Sequence, residues 1–198
     1  MMNYSSNLIG KSGESLIYLK LKWLNVLGYK GLILRNIYIP KGNNRYNEID
    51  LLFITFKGLF IIESKNYTGY VYGSLQGKYW LIRLYGNINE KYRLYNPIRQ
   101  NDSHIKYLLK YLDSDIKTYS LIVFSNRSRL QNIPSGIKDT YIIKRYDLNK
   151  YLKDIFKHHE DILSLEEMKD IYEKLLSLTK VSDEVKDRHI DDVRRYYK

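Results

Sequence analysis

Apolar residues recur at helical spacing in the first clear segment of the chain, from about residue 13 to residue 27. Ser12 precedes this segment as a candidate helix cap, and Gly28 follows it as a candidate helix end. Three strands are expected next, and a turn at Lys57-Gly58 connects the second of them to the third. Those strands are predicted from three apolar runs, over residues 32–39, 48–56 and 59–65.

The second part of the chain alternates between strands and helices and then becomes helical. Residues 69–84 have the glycines and the alternation of a further hairpin. A helix is predicted from Asn96-Pro97 to about Leu112, because Asn caps helices and Pro suits the first helical position. This order predicts one α/β domain over residues 1–145 and a helical C-terminal extension over residues 146–198. The remaining predicted elements are strands at 118–125 and 141–144, helices at 148–156 and 164–178, and a charged tail with weak helical periodicity.

Besides Lys57 at the expected turn, three charged residues, Asp50, Glu63 and Lys65, interrupt the apolar stretch IDLLFITFKGLFIIESKNY, residues 49–67. Side chains alternate faces along a strand, and the expected turn would place Asp50 opposite Lys65 and Leu52 opposite Glu63. All three charges would then project from one side of the sheet. A longer turn that shifted the register by one residue would instead put the two acids on opposite faces.

Two carboxylates on one face of a hairpin suit a hard divalent cation. Diagonal neighbours lie about 7 Å apart at Cβ, so Asp50 and Glu63 could both reach one ion. Mg²⁺ takes oxygen ligands and often binds through one or two carboxylates and several waters. Lys65 beside the ion would orient a water or neutralise charge on a reacting phosphate. The alternative is purely structural: an Asp50–Lys65 ion pair across the strands, with Glu63 at a strand end.

The order of motifs resembles a known family. Asp, a strand-turn-strand and then Glu-x-Lys is the pattern of the PD-(D/E)XK nuclease superfamily. Within it, residues 8–125 resemble the nuclease-related domain (NERD) family, although Ile49 stands where proline usually precedes the aspartate. The motifs that carry this resemblance are GE at 13–14, NEID at 47–50, KGLFIIESKNYTGYVYG at 57–73, tryptophan at 80 and NPIRQNDSHIKYL at 96–108.

The resemblance implies a restriction-endonuclease-like αβββαβ core, with a mixed central sheet flanked by helices, and a metal-dependent nuclease site. Asp50 and Glu63 would be metal ligands and Lys65 the catalytic lysine. Glu14 would be an acidic catalytic and metal-binding residue from the first helix, and Gln100 a polar residue from the second. From the residues alone, Glu14 is better explained as an ordinary acid in the first turn of a helix.

The charge balance favours a polyanionic partner. Thirty-three Lys and Arg residues against 22 Asp and Glu leave a formal charge of +11, which suits DNA or RNA but also an ordinary solvated surface. His189 is interpreted as an isolated surface residue. The candidate nucleic-acid-binding residues are Lys11, Arg45, Lys57, Asn66, Arg99, His104, Arg127 and Arg129.

Together these features predict an Mg²⁺- or Mn²⁺-dependent deoxyribonuclease that hydrolyses phosphodiester bonds, in DNA processing or in defence against foreign DNA. The rival hypothesis is a nuclease-like module that binds nucleic acid without cutting it. Nothing in the sequence separates DNA from RNA substrates, and a homodimer with two sites stays open. The lack of cysteine, of a secretory signal and of a long apolar segment predicts a cytoplasmic protein without a membrane partner.

Overall fold

A computed structural model describes the backbone of residues 4–196 and the side chains of residues 12–86 and 89–194. None of the described helices is both long enough and apolar enough to cross a membrane. The helices are α1 (Tyr4–Val26), α2 (Pro97–Leu112), α3 (Leu148–His158), α4 (Leu165–Leu176) and α5 (Asp183–Tyr196). The strands are β1 (Gly31–Pro40), β2 (Tyr46–Thr55), β3 (Gly58–Lys65), β4 (Gly69–Tyr72), β5 (Tyr79–Leu84), β6 (Asn87–Tyr95), β7 (Thr118–Phe124), β8 (Ser128–Gln131) and β9 (Thr140–Lys144).

The strands form two sheets. The larger sheet has the order β1-β2-β3-β7-β9, in which β1, β2 and β3 are antiparallel neighbours. Strands β7 and β9 run parallel to β3. The smaller sheet has the order β6-β5-β4-β8; its strands β4, β5 and β6 lie between β3 and α2 in sequence, and β8 follows β7. The predicted α/β class with a mixed central sheet and flanking helices is confirmed.

Both faces of the larger sheet are covered by helices. One apolar cluster joins α1 and α3 to the sheet through residues such as Leu21, Phe60 and Leu152. A second cluster packs α2 and α4 on the opposite face, with Leu108 and Leu175 fully buried. Full burial of such a side chain stabilises the fold by roughly 1.5–3 kcal/mol. Helices α3 and α4 therefore belong to the packing of this sheet, while the domain division at residue 145 stays a prediction.

The turn between β2 and β3 lies one residue earlier than predicted. It consists of residues 56–57 rather than Lys57-Gly58, and the register pairs Leu52 with Ile61 instead of Glu63. The predicted register was therefore wrong by two residues. Because the shift is an even number of residues, β3 still presents the expected face of alternating side chains.

Gly58 has a different role from the one its position suggested. It opens β3 with φ +118°, and a Cβ at this position would lie 2.3 Å from the carbonyl oxygen of Lys117. Thr55 closes the turn, since its hydroxyl donates to the Gly58 carbonyl at 3.1 Å and accepts from the Lys57 amide at 3.1 Å. The glycine is required for close strand approach, and this misled the assignment of the turn.

The start of α1 also differs from the prediction, whereas α2 agrees with it. Helix α1 begins at Tyr4, so Ser12 is interior and does not cap it. Glu14 consequently lies well inside the helix, where the helix dipole no longer explains an acid. Asn96 caps α2 as predicted, with its side chain accepting from the Ile98 amide at 3.0 Å.

Candidate active site

The site forms where β2 and β3 separate. Their pairing ends at Leu51–Ile62, just before Asp50. On the other side of β2, Asn36 has a left-handed backbone with φ 51°, a conformation that asparagine tolerates better than most residues. The Asp50 carboxylate then accepts a hydrogen bond from the Ser64 amide at 2.7 Å. A side-chain oxygen thus replaces a strand carbonyl as the acceptor at this fork.

A closed hydrogen-bonded triangle lies beside the fork. The Nζ of Lys65 donates to Glu63 Oε1 at 2.6 Å and to Gln100 Oε1 at 2.9 Å. The Nε2 of Gln100 donates back to Glu63 Oε1 at 2.9 Å. Glu63 and Lys65 are 2% and 8% exposed, so this ion pair is shielded from water. The alternative Asp50–Lys65 ion pair does not occur among the described residues.

Helix α2 supplies the polar wall of the site. Gln100 and His104 are one helical turn apart and both face Glu63, with His104 Nδ1 at 3.5 Å from Glu63 Oε2. Asn101 fixes the helix to the sheet by donating to the Ile61 carbonyl at 3.0 Å and to the Ser120 hydroxyl at 2.8 Å. Sequence analysis missed Asn101, because its burial depends on β3 and β7 meeting beneath α2.

Helix α1 approaches the same end of β3 through a glycine. A Cβ at Gly13 would lie 2.9 Å from Asn66 Cβ and 3.0 Å from Ser64 Oγ. Asn66 also donates to the Ser12 hydroxyl at 3.2 Å. This close contact brings Glu14, the next residue, into the electrostatic environment of the fork.

The neighbouring acids disfavour the ionisation of Asp50. Loss of hydration, followed by the charges of Glu63 and Glu14, raises the pKa of Asp50 well above its usual range. Burial by itself lowers the pKa of Lys65, but the carboxylates of Glu63 and Asp50 more than offset it and the pKa is raised. Lys65 is therefore a permanent cation at neutral pH.

His104 behaves differently from Lys65. Burial, aided by the nearby positive charges of Lys65 and His189, lowers the pKa of His104 to about 4 against the opposing effect of Glu63. The ring is therefore neutral at pH 7 and adds no charge to the site.

The donor set fits a hard cation that keeps much of its water. In the described part of the chain, no group of three or more His or acidic residues is arranged to hold a metal. Two carboxylates do converge on the fork, and Glu63 Oε2 is buried with no hydrogen-bond partner among the described residues. The charges of Glu63 and Glu14 help to raise the pKa of Asp50, and a bound cation would relieve this repulsion and favour the ionised carboxylate. Mg²⁺ and Mn²⁺ suit such oxygen-only, partly hydrated sites.

A cavity of about 210 Å³ opens beside Lys65 and Gln100. Its far wall comes from α5, where His189 Nδ1 donates to the Tyr46 carbonyl at 3.0 Å. The interpretation of His189 as an isolated surface residue was therefore wrong. Tyr95 and Lys41 line the cavity as well. Sequence analysis could not find these residues, because only the folded chain brings them to the end of β3.

The predicted nucleic-acid-binding residues are distributed unevenly around the site. Asn66 follows β3 directly, and exposed Arg99 lies on α2 beside Gln100, where it donates to the Gln76 carbonyl at 2.6 Å. Lys57 lies in the turn at the opposite end of the hairpin and pairs with Asp161 at 2.8 Å. Arg45, Arg127 and Arg129 are exposed on the β1–β2 loop, the β7–β8 turn and β8, and the side chain of Lys11 lies outside the described residues.

A mixed α/β sheet with a half-buried Asp and a buried Glu and Lys at one strand fork is consistent with a nuclease-like fold. Residues 9–125 match the model of the nuclease-related domain family, and the chain belongs to that family. The resemblance noted from the sequence is confirmed.

The chain is also similar to an uncharacterized protein of Bacillus anthracis. The two are 26% identical over 182 residues, which cover 91% of this chain and 82% of the relative. This similarity extends past residue 125 into the C-terminal part. No solved structure gives a significant match.

Proposed function

We propose that the protein is a deoxyribonuclease that hydrolyses phosphodiester bonds with the help of Mg²⁺ or Mn²⁺. The observation that carries this proposal is the arrangement of half-buried Asp50 with buried Glu63 and Lys65 at the fork of β2 and β3. Membership of a nuclease-related family and a formal charge of +11 support it. A surplus of positive charge attracts the DNA backbone and raises its local concentration near the site.

The residues of the fork have complementary roles. Asp50 and Glu63 would hold the cation, with Glu14 contributing through water. When bound, such a cation acts as a Lewis acid on the phosphoryl oxygen and makes a neighbouring water a better nucleophile. Asp50 is already oriented by the Ser64 amide, so little ordering is required on binding.

Lys65 acts as a cation and hydrogen-bond donor, not as a base. Its raised pKa keeps it protonated, which suits the negative charge that builds up on phosphate oxygens during in-line attack. Gln100 positions it by accepting from Nζ while donating to Glu63. In the overall step a water attacks phosphorus and gives up one proton to solvent, one ester P–O bond breaks, and the leaving oxygen takes up one proton from solvent.

One observation favours a second candidate, a module that binds nucleic acid without cutting it. Lys65 already neutralises Glu63 at 2.6 Å, which competes with a divalent cation for the same oxygen. In that case DNA binding would be the same in EDTA and in Mg²⁺. The two candidates thus differ in metal dependence.

Nicking of supercoiled plasmid by the wild type, Asp50→Ala and Lys65→Ala tests the proposal. With Mg²⁺ or Mn²⁺ the wild type should nick the plasmid, EDTA should stop the reaction, and both variants should lose it. If the wild type leaves plasmid and single-stranded DNA intact in both metals while all three proteins bind DNA in a salt-sensitive way, the binding module is the correct description.

A further inference from the structure

The outer face of the smaller sheet is unusually rich in tyrosine and arginine. Its inner face is apolar, with Val71, Trp80, Ile82 and Leu94 buried against β7 and α2. The alternating outward positions carry a set of residues that we call the tyrosine–arginine face: Tyr70, Tyr72, Tyr79, Arg83, Arg93 and Arg129.

Strand register makes these residues direct neighbours. Tyr70 is paired with Arg83 on β5 and with Arg129 on β8, which gives an Arg-Tyr-Arg row across three strands. In the next row, Leu81 lies between Tyr72 and Arg93. Rings and guanidinium groups therefore occupy one continuous surface.

The cations lie over the rings. The Arg129 guanidinium carbon is 5.7 Å from the centroid of the Tyr70 ring, and that of Arg83 is 5.7 Å from Tyr72. Arg93 lies 5.9 Å from the Tyr79 ring. Such contacts hold planar charged groups over the sheet and keep them oriented for a ligand.

The charge of the face is of one sign. No acidic residue occupies an outward position of β4, β5, β6 or β8 among the side chains that the structure describes. Lys91, opposite Arg83, adds a further cation. The Nε of Arg83 is buried and has no hydrogen-bond partner in the described part of the chain. The face thus offers positive charge to an anionic ligand that also has flat rings.

We infer that the tyrosine–arginine face binds single-stranded DNA and delivers it to the site at the β2–β3 fork. Unpaired bases stack on aromatic rings and guanidinium planes, while cations contact the phosphates. A duplex keeps its bases stacked inside the helix and offers this surface only its phosphates. The inference deepens the proposed function, since it names the form of DNA that the nuclease site receives.

Tyr95 connects the face to the site. It lies opposite Tyr79 on the neighbouring strand, with ring centroids 6.3 Å apart. Tyr95 also lines the cavity that Lys65 and Gln100 border. A strand that crosses the face in this direction therefore reaches the cavity beside Lys65 and Gln100.

Fluorescence anisotropy in EDTA tests the inference apart from catalysis. Labelled oligothymidine and a DNA hairpin of the same length are titrated with the wild type, Tyr72→Leu, Tyr72→Phe and Arg129→Lys. Tyr92→Leu and Lys169→Ala serve as matched controls. Tyr92 is 44% exposed, but strand alternation places it on the side of β6 opposite to the tyrosine–arginine face. Lys169 is exposed on α4. Melting temperatures exclude variants that fail to fold.

The wild type should bind oligothymidine more tightly than the hairpin. Tyr72→Leu should weaken oligothymidine binding by roughly 5- to 100-fold, the range found when a stacking ring is removed. Tyr72→Phe should retain binding, since it keeps the ring, and Arg129→Lys should lose affinity although it keeps the charge.

Equal affinity for both DNAs, or a folded Tyr72→Leu variant that binds like the wild type, would overturn the inference. The two proposals fail separately. Ring-dependent binding without cleavage would refute only the nuclease, and cleavage without ring-dependent binding would refute only this role of the face.

Discussion

Asp50 bears the clearest electrostatic conflict at the residue scale. Its pKa is raised by lost hydration and by two neighbouring carboxylates, so ionisation costs more in the folded than in the unfolded state. The folded state therefore loses stability as pH rises from the usual carboxyl range through the raised pKa. Asp50→Asn removes this cost while keeping an acceptor for the Ser64 amide. We expect its melting temperature in EDTA at pH 7 to exceed that of the wild type by at least about 2 °C.

The control for this prediction is Asp170→Asn, an exposed acid on α4 that should leave the melting temperature unchanged. Adding Mn²⁺ should stabilise the wild type and the control but not Asp50→Asn, because a ligand raises stability only when it binds the folded state. A lower melting temperature for Asp50→Asn in EDTA would show that Asp50 is a structural acid.

Gln100 provides a second prediction at this scale. Gln100→Leu leaves Lys65 and Glu63 each without one of their hydrogen bonds. If Gln100 positions the lysine, the cleavage rate at saturating DNA should fall by roughly 10- to 100-fold, as for other residues that orient a metal site. Binding of DNA in EDTA should change little. A variant that loses affinity and keeps its rate at saturation would instead make Gln100 a DNA contact.

Gly58 allows a prediction at the scale of elements. Gly58→Ala combines a left-handed backbone with a Cβ placed 2.3 Å from the Lys117 carbonyl oxygen. Gly136→Ala has a left-handed backbone too, φ +70°, but nothing lies within 4 Å of its Cβ. Urea unfolding should show a loss of about 1 kcal/mol for Gly136→Ala and a larger loss for Gly58→Ala. Equal losses would mean that β3 does not approach Lys117 this closely.

The elements also show what the sequence could predict. The cap at Asn96 identified α2 correctly, because the capping interaction is local. The turn was misplaced because Gly58 is needed for the close approach of Lys117, a residue distant in sequence, and not for the turn. Strands β6 and β8 were missed, and their pairing with β5 and β4 exists only in the folded sheet. Features set by local interactions could therefore be predicted from the sequence, whereas features imposed by residues distant in sequence could not.

The whole molecule carries a surplus of positive charge, which makes DNA binding depend on salt. The logarithm of the affinity should fall linearly with the logarithm of salt concentration, by about 0.7 for each phosphate of a single strand that a cation neutralises. Arg93→Ala should reduce that slope by about this amount. Lys57→Ala should leave it unchanged, because Lys57 pairs with Asp161 at the far end of the hairpin. A reduced slope for Lys57→Ala would contradict this placement.

The residues of the candidate site are brought together only in the folded molecule as a whole. Asp50, Glu63 and Lys65 could be chosen from one hairpin, since strand geometry relates residues close in sequence. The cavity beside them combines Lys41, Tyr95 and His189, which come from a loop, the smaller sheet and α5. No periodicity links these positions, so the sequence alone could not have grouped them.

The most direct test of the central claim is the rate at which the wild type and Asp50→Asn cleave labelled oligothymidine in Mg²⁺, with Asp170→Asn as control. We predict cleavage by the wild type and the control, no cleavage by either in EDTA, and no measurable cleavage by Asp50→Asn despite unchanged folding. Cleavage by Asp50→Asn at the wild-type rate, or by the wild type in EDTA, would contradict a metal-dependent nuclease site at the fork of β2 and β3.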